Sequence, residues 1–340
     1  MSIRKLALTA AAVAATTFAA GAAQAAEEVN VYSYRQPFLV EPLFEAFTKD
    51  TGIKVNVLFA ETGLTERLVA EGANTPGDVI LTVDIGRLND VKAAGVTAPV
   101  ESETLNEMIP PQYRDPEGHW FALTTRVRVI YASKERVSDW KSLTYESLAE
   151  PRFKGRVCTR SGKHPYTVAL IASMIAHHGR EETAEWLKGL KANLARKPQG
   201  NDRGQVQAIF EGVCDVSLGN SYYYGAMLEK EDQKPWAESV NVAFPNQDGR
   251  GAHVNISGVA LVKHAPHPEN AVKLMEWLVG EHAQQIYAET NYEYPVRAGV
   301  ECAPLLESLG EYKADELPIS KIAELRKEAV LLVDEVGFDG

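Results

Sequence analysis

Residues 220–225 read NSYYYG and set Tyr222, Tyr223 and Tyr224 side by side. One core cannot take all three. Neighbours alternate faces in a strand and fan out by about 100° in a helix. A free phenol ionises near pH 10, so at neutral pH it is a poor ligand for common divalent metals. A small, highly charged cation reverses this, because ligation requires and stabilises the deprotonated group. Matching hard cations to anionic oxygen points to ferric iron. Two adjacent phenols in an irregular turn can aim at one ion, and a third can come from a neighbouring loop. Tyr166, in TRSGKHPY, is placed to supply it. Spacing and composition alone leave three readings open: packed aromatics with one hydrogen bond each, a metal site, or an aromatic cage for a quaternary ammonium.

The elements around these residues alternate between strand and helix. EVNVYSY, IKVNVLFA and DVILTVD read as strands. VEPLFEAFTKDTG carries a helical stripe of Val40, Leu43, Phe44 and Phe47, stopped by Gly52. LTERLVAEGANTPG and IGRLNDVKAAG are further helices. Such β-α-β-α order predicts a parallel sheet with crossover helices. TTRVRVIYAS (124–133) is a strand expected to cross between two lobes. LAEPRFKGRVCTR opens a second α/β unit. YTVALIASMIAHHG and REETAEWLKGLKANLA are helices, and ENAVKLMEWLVGEHAQQIYAE is expected to be one more. In open α/β sheets ligands gather beyond the carboxyl ends of strands. YSYRQ, TVDIGR, TRSGKHPY and SLGNSYYYG all fall at such ends, so Tyr166 and the tyrosine run come from two strand ends of the same lobe.

The first 25 residues read as a secretory signal peptide: MSIRK is basic, an uncharged Ala-rich stretch follows, and AQA precedes Ala26. Removing them takes away Arg4 and Lys5 and no acid. That leaves 33 basic against 46 acidic residues and a net charge of −13. This acidity argues against nucleic acid and against anionic lipid as partners. Export to an oxidising compartment permits a disulfide between Cys158 and Cys214, if their strands are neighbours, with Cys302 as the odd thiol. The cysteine spacings are too wide for a Cys-x-x-Cys metal cluster. Asn201 and Asp202, ahead of RGQVQAIF, read as a helix N-cap, and His164 is a candidate outer partner of Tyr166.

The chain resembles the bacterial periplasmic ferric-ion-binding proteins of ABC importers. The resemblance covers nearly all of residues 26–340. It rests on VYSYR, TGIKVNV, EGANTPGDVILTVDIGRL, GHWFALTTRVRVI, FKGRVCTRSGKHPYTVALIASMIAHHG, ARKPQGNDRGQVQAI, GNSYYYG, FPNQDGRGAHVNISGVALVKHAPHPENAVKLMEWL and NYEYPV together. It implies an α/β, two-lobed type II periplasmic binding protein. Each lobe would be a mixed, mostly parallel sheet flanked by helices, with the ligand cleft between lobes. The expected division is 26–125 with 256–305 for the amino-terminal lobe and 126–255 for the carboxy-terminal lobe, with 306–340 forming helices that pack on both.

The same resemblance implies Fe³⁺ as the bound ion, with Tyr166, Tyr222 and Tyr223 as ligands and Tyr224 pointing elsewhere. Many relatives add a His and a Tyr after the first strand, in a pattern like SRHY. This chain has YRQPF there, with Gln36 and Pro37 at those places. Three phenolates neutralise Fe³⁺ but leave its shell incomplete. Carbonate, another small anion or water is then expected to fill it. Arg35, Arg126 and Arg128 are candidate anion hosts, the last two sharing one face of a strand. Tyr34 and Gln36 are candidate outer partners. A permease of the inner membrane is the implied partner, and a periplasmic monomer that is not an enzyme is the implied state. The rival reading is a receptor for an organic cation or anion, polyamine-like or thiamine-like, on the same fold. No G-x-S-x-G, H-E-x-x-H or P-loop supports a hydrolase or transferase.

Overall fold

The computed structural model describes residues 27–340; the proposed signal peptide at 1–25 lies outside them. Ten strands form one continuous mixed sheet. They are β1 (Glu28–Ser33), β2 (Lys54–Phe59), β3 (Val79–Thr82), β4 (Thr97–Ala98), β5 (Phe121–Ser133), β6 (Val157–Cys158), β7 (Val216–Asn220), β8 (Val240–Ala243), β9 (Val254–Val262) and β10 (Tyr294–Pro295). The main path runs β2-β1-β3-β9-β5-β7-β6, with β4 on β9 and with β8 and β10 on β5.

Two parallel segments lie at the ends of this path: β1 with β2 and β3, and β6 with β7. Both are covered by helices, so β3 is buried at every position. Joining them is β5, thirteen residues long and buried throughout. Its first half, Phe121–Val127, pairs antiparallel with β9, and its second half, Arg128–Ala132, pairs antiparallel with β7. The two lobes are thus linked by a strand that changes partners between Val127 and Arg128.

The helix over Pro37–Thr51 buries Val40, Leu43, Phe44 and Phe47 and ends at Gly52 in the left-handed region. The helix over Pro165–His178 starts with Pro at its first position and is capped by His164. The stretch expected as one helix from residue 269 to 289 is two, Pro268–Leu278 and Glu281–Asn291, broken at Gly280. Gly280 adopts extended backbone, and its amide donates to Trp277 O at 2.9 Å. An apolar stripe alone does not reveal such a break, because both halves bury faces of similar composition.

Cys158 and Cys214 form a disulfide with Cα atoms 5.9 Å apart, and Cys302 is free. The bond ties the end of β6 to the residue two places before β7. The last helix, Ile319–Val336, packs on the first-lobe helix Ile85–Ala93 and on the second-lobe helix Pro165–His178. Arg326 reaches Asp90 in one lobe while Lys163 of the other reaches Asp334. Among the described residues no helix is long and apolar enough to cross a membrane.

Candidate metal centre

Because β6 and β7 are parallel neighbours, their carboxyl ends open on the same side. The chain leaving β6 starts a helix at Pro165, and the chain leaving β7 starts one at Tyr222. Tyr222 and Tyr223 therefore occupy a helix start rather than the irregular turn expected from sequence. The Tyr166 hydroxyl lies 3.4 Å from the Tyr222 hydroxyl, and the Tyr222 and Tyr223 rings are 4.3 Å apart. Tyr224 leaves in another direction and packs against the hydrophobic core. The 100° step of the helix separates it from its neighbours.

Burial, with Tyr166 and Tyr223 alongside, pushes the Tyr222 phenol well above its ordinary pKa. Burial, with Tyr166 and Asp202 nearby, pushes Tyr223 up to about 12. Without a cation both stay protonated at neutral pH. Among the described residues no three His, Cys, Asp or Glu side chains gather as a metal site. The phenols are thus the concentrated oxygen donors here.

Cationic groups surround them. The Arg126 guanidinium carbon is 5.6 Å from the centre of the Tyr166 ring, and that of Arg160 is 5.4 Å away. Arg126 is 1% exposed, and its Nε and Nη2 have no hydrogen-bond partner. Its Nη1 donates to Ser257 Oγ at 2.8 Å and lies 3.5 Å from Glu293 Oε1. Burial alone would lower its pKa, but Tyr166, Glu293, Tyr222 and Asp84 outweigh that and raise it.

The other residues singled out from sequence are placed as follows. Arg35 is buried; its Nη1 donates to Ser257 Oγ and to Glu293 Oε2 at 2.9 Å. Arg128 pairs with Asp202 at 2.6 Å and donates to Asn220 Oδ1 at 3.1 Å. The Tyr34 hydroxyl meets Thr65 Oγ1 at 3.1 Å, and Arg87 lies over its ring. Gln36 is exposed at the N-cap of the helix over Pro37–Thr51 and makes no capping bond. His164 Nδ1 accepts from the Tyr166 amide at 3.2 Å, with ring centroids 4.6 Å apart. Burial and then Arg160 push this imidazole down to about 3, so it is neutral and acts as a cap. Arg126 alone among the three candidate anion hosts combines contact with the phenol cluster and two open, buried donors.

Glu293, Arg160, Ser257 and the pairing role of Asp202 escaped the sequence reading. Asn201, not Asp202, caps its helix, accepting from the Gly204 amide. Asp202 is fully buried and takes Arg128 on one oxygen and Arg160 on the other. Glu293 is buried between Arg35, Arg126 and Thr124. A lone acid in NYEYPV gives no pairing signal by itself, since the arginines it pairs with lie more than 160 residues away.

Residues 74–318 match the family model described as bacterial extracellular solute-binding protein. "Iron uptake protein A1" of Synechocystis is 46% identical over 315 residues, covering 92% of this chain and 88% of its own. The open crystal structure of ferric iron-binding protein A from Mannheimia haemolytica is 53% identical, with a TM-score of 0.90, over 93% of this chain and 100% of that one. A Trichodesmium protein solved with iron and citrate ligands is 43% identical, with a TM-score of 0.89, over 92% and 99% of the two chains. These relatives carry the names of uptake and binding proteins, not of enzymes. The chain is a member of the bacterial extracellular solute-binding protein family, in the group that includes the periplasmic ferric-ion-binding proteins, and it has their two-lobed type II fold.

Proposed function

We propose that the protein is a periplasmic receptor that captures Fe³⁺ for an ABC importer. Tyr166, Tyr222 and Tyr223 bind the ion as phenolates, and a small anion such as carbonate completes its shell. Closure of the lobes presents the loaded form to a permease of the inner membrane. The observation that carries the reading is the 3.4 Å approach of the Tyr166 and Tyr222 hydroxyls, with the Tyr223 ring tilted against that of Tyr222 and no competing carboxylate or imidazole cluster among the described residues.

Three phenolates carry three negative charges and match a trivalent ion. They are a poor match for a divalent one, which would not repay the deprotonation of phenols held above their ordinary pKa. The anion fits on Arg126, whose open Nε and Nη2 can grip a carboxylate-like group with two bonds. The same arginines oppose an organic cation. A polyamine or a thiamine-like ring would have to sit among Arg126, Arg160 and their neighbours.

The test is optical. Purified protein given Fe³⁺ should show a visible phenolate-to-iron charge-transfer band. Replacing both Tyr222 and Tyr223 by Phe should abolish it, and a band that survives in this double variant sinks the assignment.

A further inference from the structure

The helix over Tyr222–Leu228 carries two of the three phenols and is seven residues long. So short a helix gains little from its own hydrogen bonds, and its direction is set by what grips its ends. At its start Ser221 is tied to β5. The Ser221 amide donates to Val127 O at 2.9 Å, and its Oγ accepts from the Val127 amide at 3.2 Å. Val127 is the last residue of β5 to pair with β9, at the point where the strand changes partners.

At the far end the grip is Tyr292. A Cβ on Gly225 would meet the Tyr292 ring at 2.5 to 2.7 Å, so the ring lies on bare helix backbone. The Tyr292 hydroxyl donates to Glu229, the residue that closes the helix. Tyr222, Gly225 and Glu229 are spaced by three and four residues and share one helix face. A single side chain therefore lies along the face that bears Tyr222.

That side chain comes from the other lobe. The helix before it, Glu281–Asn291, packs on the helix over Pro37–Thr51, and Asn291 Nδ2 donates to Leu39 O at 3.4 Å. The strand after it, β10, pairs with Thr124 and Thr125 in the first half of β5. Tyr292 itself is held at φ 53° and ψ 31°, a left-handed conformation that disfavours a bulky residue. Among the described residues Asn246 is the one other non-glycine with positive φ. Strain of this kind persists where the surrounding contacts over-determine the residue. Here those contacts include the tyrosine helix of the second lobe.

Resting on the ferric reading above, we propose that Tyr292 is a positioning residue of the metal centre. It clamps the tyrosine helix to the first lobe, so the hold of Tyr222 and Tyr223 on the ion depends on where the two lobes stand. Val127 fixes the start of that helix and Tyr292 its end. The first lobe thereby acts on the metal through this ring, without lending a donor atom from it.

The test is the rate at which full-length mature protein loaded with Fe³⁺ loses its phenolate-to-iron band to excess EDTA in native buffer. Tyr292→Gly removes the ring and suits the left-handed backbone. It should release iron at least about tenfold faster, the lower end of what altered outer partners of a ligand cost. The urea midpoint of the metal-free variant should fall little, because relief of the backbone offsets part of the lost packing. Tyr292→Phe keeps the ring on Gly225 but loses the bond to Glu229, and its rate should fall between the two. A merely structural role would lower the midpoint and leave release from the folded protein unchanged. Wild-type release from folded Tyr292→Gly overturns the proposal. Should that variant not fold, Tyr292→Asn, which also tolerates this backbone, is read in its place. Wild-type protein that shows no band with Fe³⁺ overturns the ferric reading, and the proposal falls with it.

Discussion

The hydroxyls of Tyr166 and Tyr222 meet at 3.4 Å although 56 residues separate them in the chain. Parallel pairing makes this so. β6 and β7 run side by side in register, Val157 with Val216 and Cys158 with Ser217, and the Cys158–Cys214 disulfide pins the same edge. Whatever follows each strand must emerge at the same end of the sheet. His164 then caps the first helix and sets the direction in which Tyr166 leaves it.

Position within the tyrosine run should decide function. Altering outer partners of a metal ligand typically costs 10- to 100-fold in affinity, so losing a ligand in Tyr166→Phe should cost more than about 100-fold. Tyr224→Phe should leave ferric affinity and the visible band unchanged, because Tyr224 packs on the core. Competition with a chelator measures both. Equal losses in the two variants would remove the distinction between them.

Acid should release the metal. Tyr222 stands well above its ordinary pKa and Tyr223 at about 12, both chiefly through burial, so each must lose a proton on loading. These two phenols should make affinity fall about 100-fold per pH unit on acidification between about pH 8 and pH 6. Proton release on adding Fe³⁺ to weakly buffered protein gives the count directly.

The metal-free protein should show the opposite limb. A phenol raised on folding stabilises the fold fully below its unfolded pKa of about 10, and that contribution is lost as pH climbs through the folded value. Alkaline unfolding should therefore be blunted in Tyr222→Phe/Tyr223→Phe relative to wild type. An identical alkaline midpoint in the two proteins would contradict this.

Gly225 lies one turn after Tyr222, and a Cβ there would meet the Tyr292 ring at 2.5 to 2.7 Å. Tyr292 cannot easily yield, since it sits in the left-handed region at φ 53° and its hydroxyl donates to Glu229. Gly225→Ala should cost about 1–3 kcal/mol by overpacking. Most of that cost should vanish in a Tyr292→Ala background, because the two sites are in contact. Thermal or urea unfolding of the four proteins closes the cycle. Additive effects would show that the ring is not the obstacle.

Asp202→Ala removes the acid shared by Arg128 and Arg160 and also the acceptor of the Asn220 amide at 3.0 Å. Stranding buried guanidiniums should destabilise the protein by about 3–5 kcal/mol, read from the urea midpoint. A loss within the ordinary range for surface changes, about 0.5 kcal/mol, would mean that water or another group takes over the pairing.

Local pattern in the sequence was enough for most elements. The all-apolar β3, the striped helix over Pro37–Thr51 and the helix ending at Gly179 follow from periodicity and from glycine, which act within a few residues. The chemistry of adjacent phenols could be stated before any coordinate, because it depends on residue type. Tertiary structure alone decided which groups share the site. Sequence made Arg35, Arg126 and Arg128 equal candidates. Strand pairing then bound Arg128 to Asp202, brought Arg35 and Arg126 to Glu293, and left the open donors of Arg126 beside the phenol cluster. The burial of Asp202 likewise depended on distant partners. Short-range propensity is written into neighbouring residues, whereas compensation of a buried charge is settled only when the folded chain brings its counter-charge within a few ångströms.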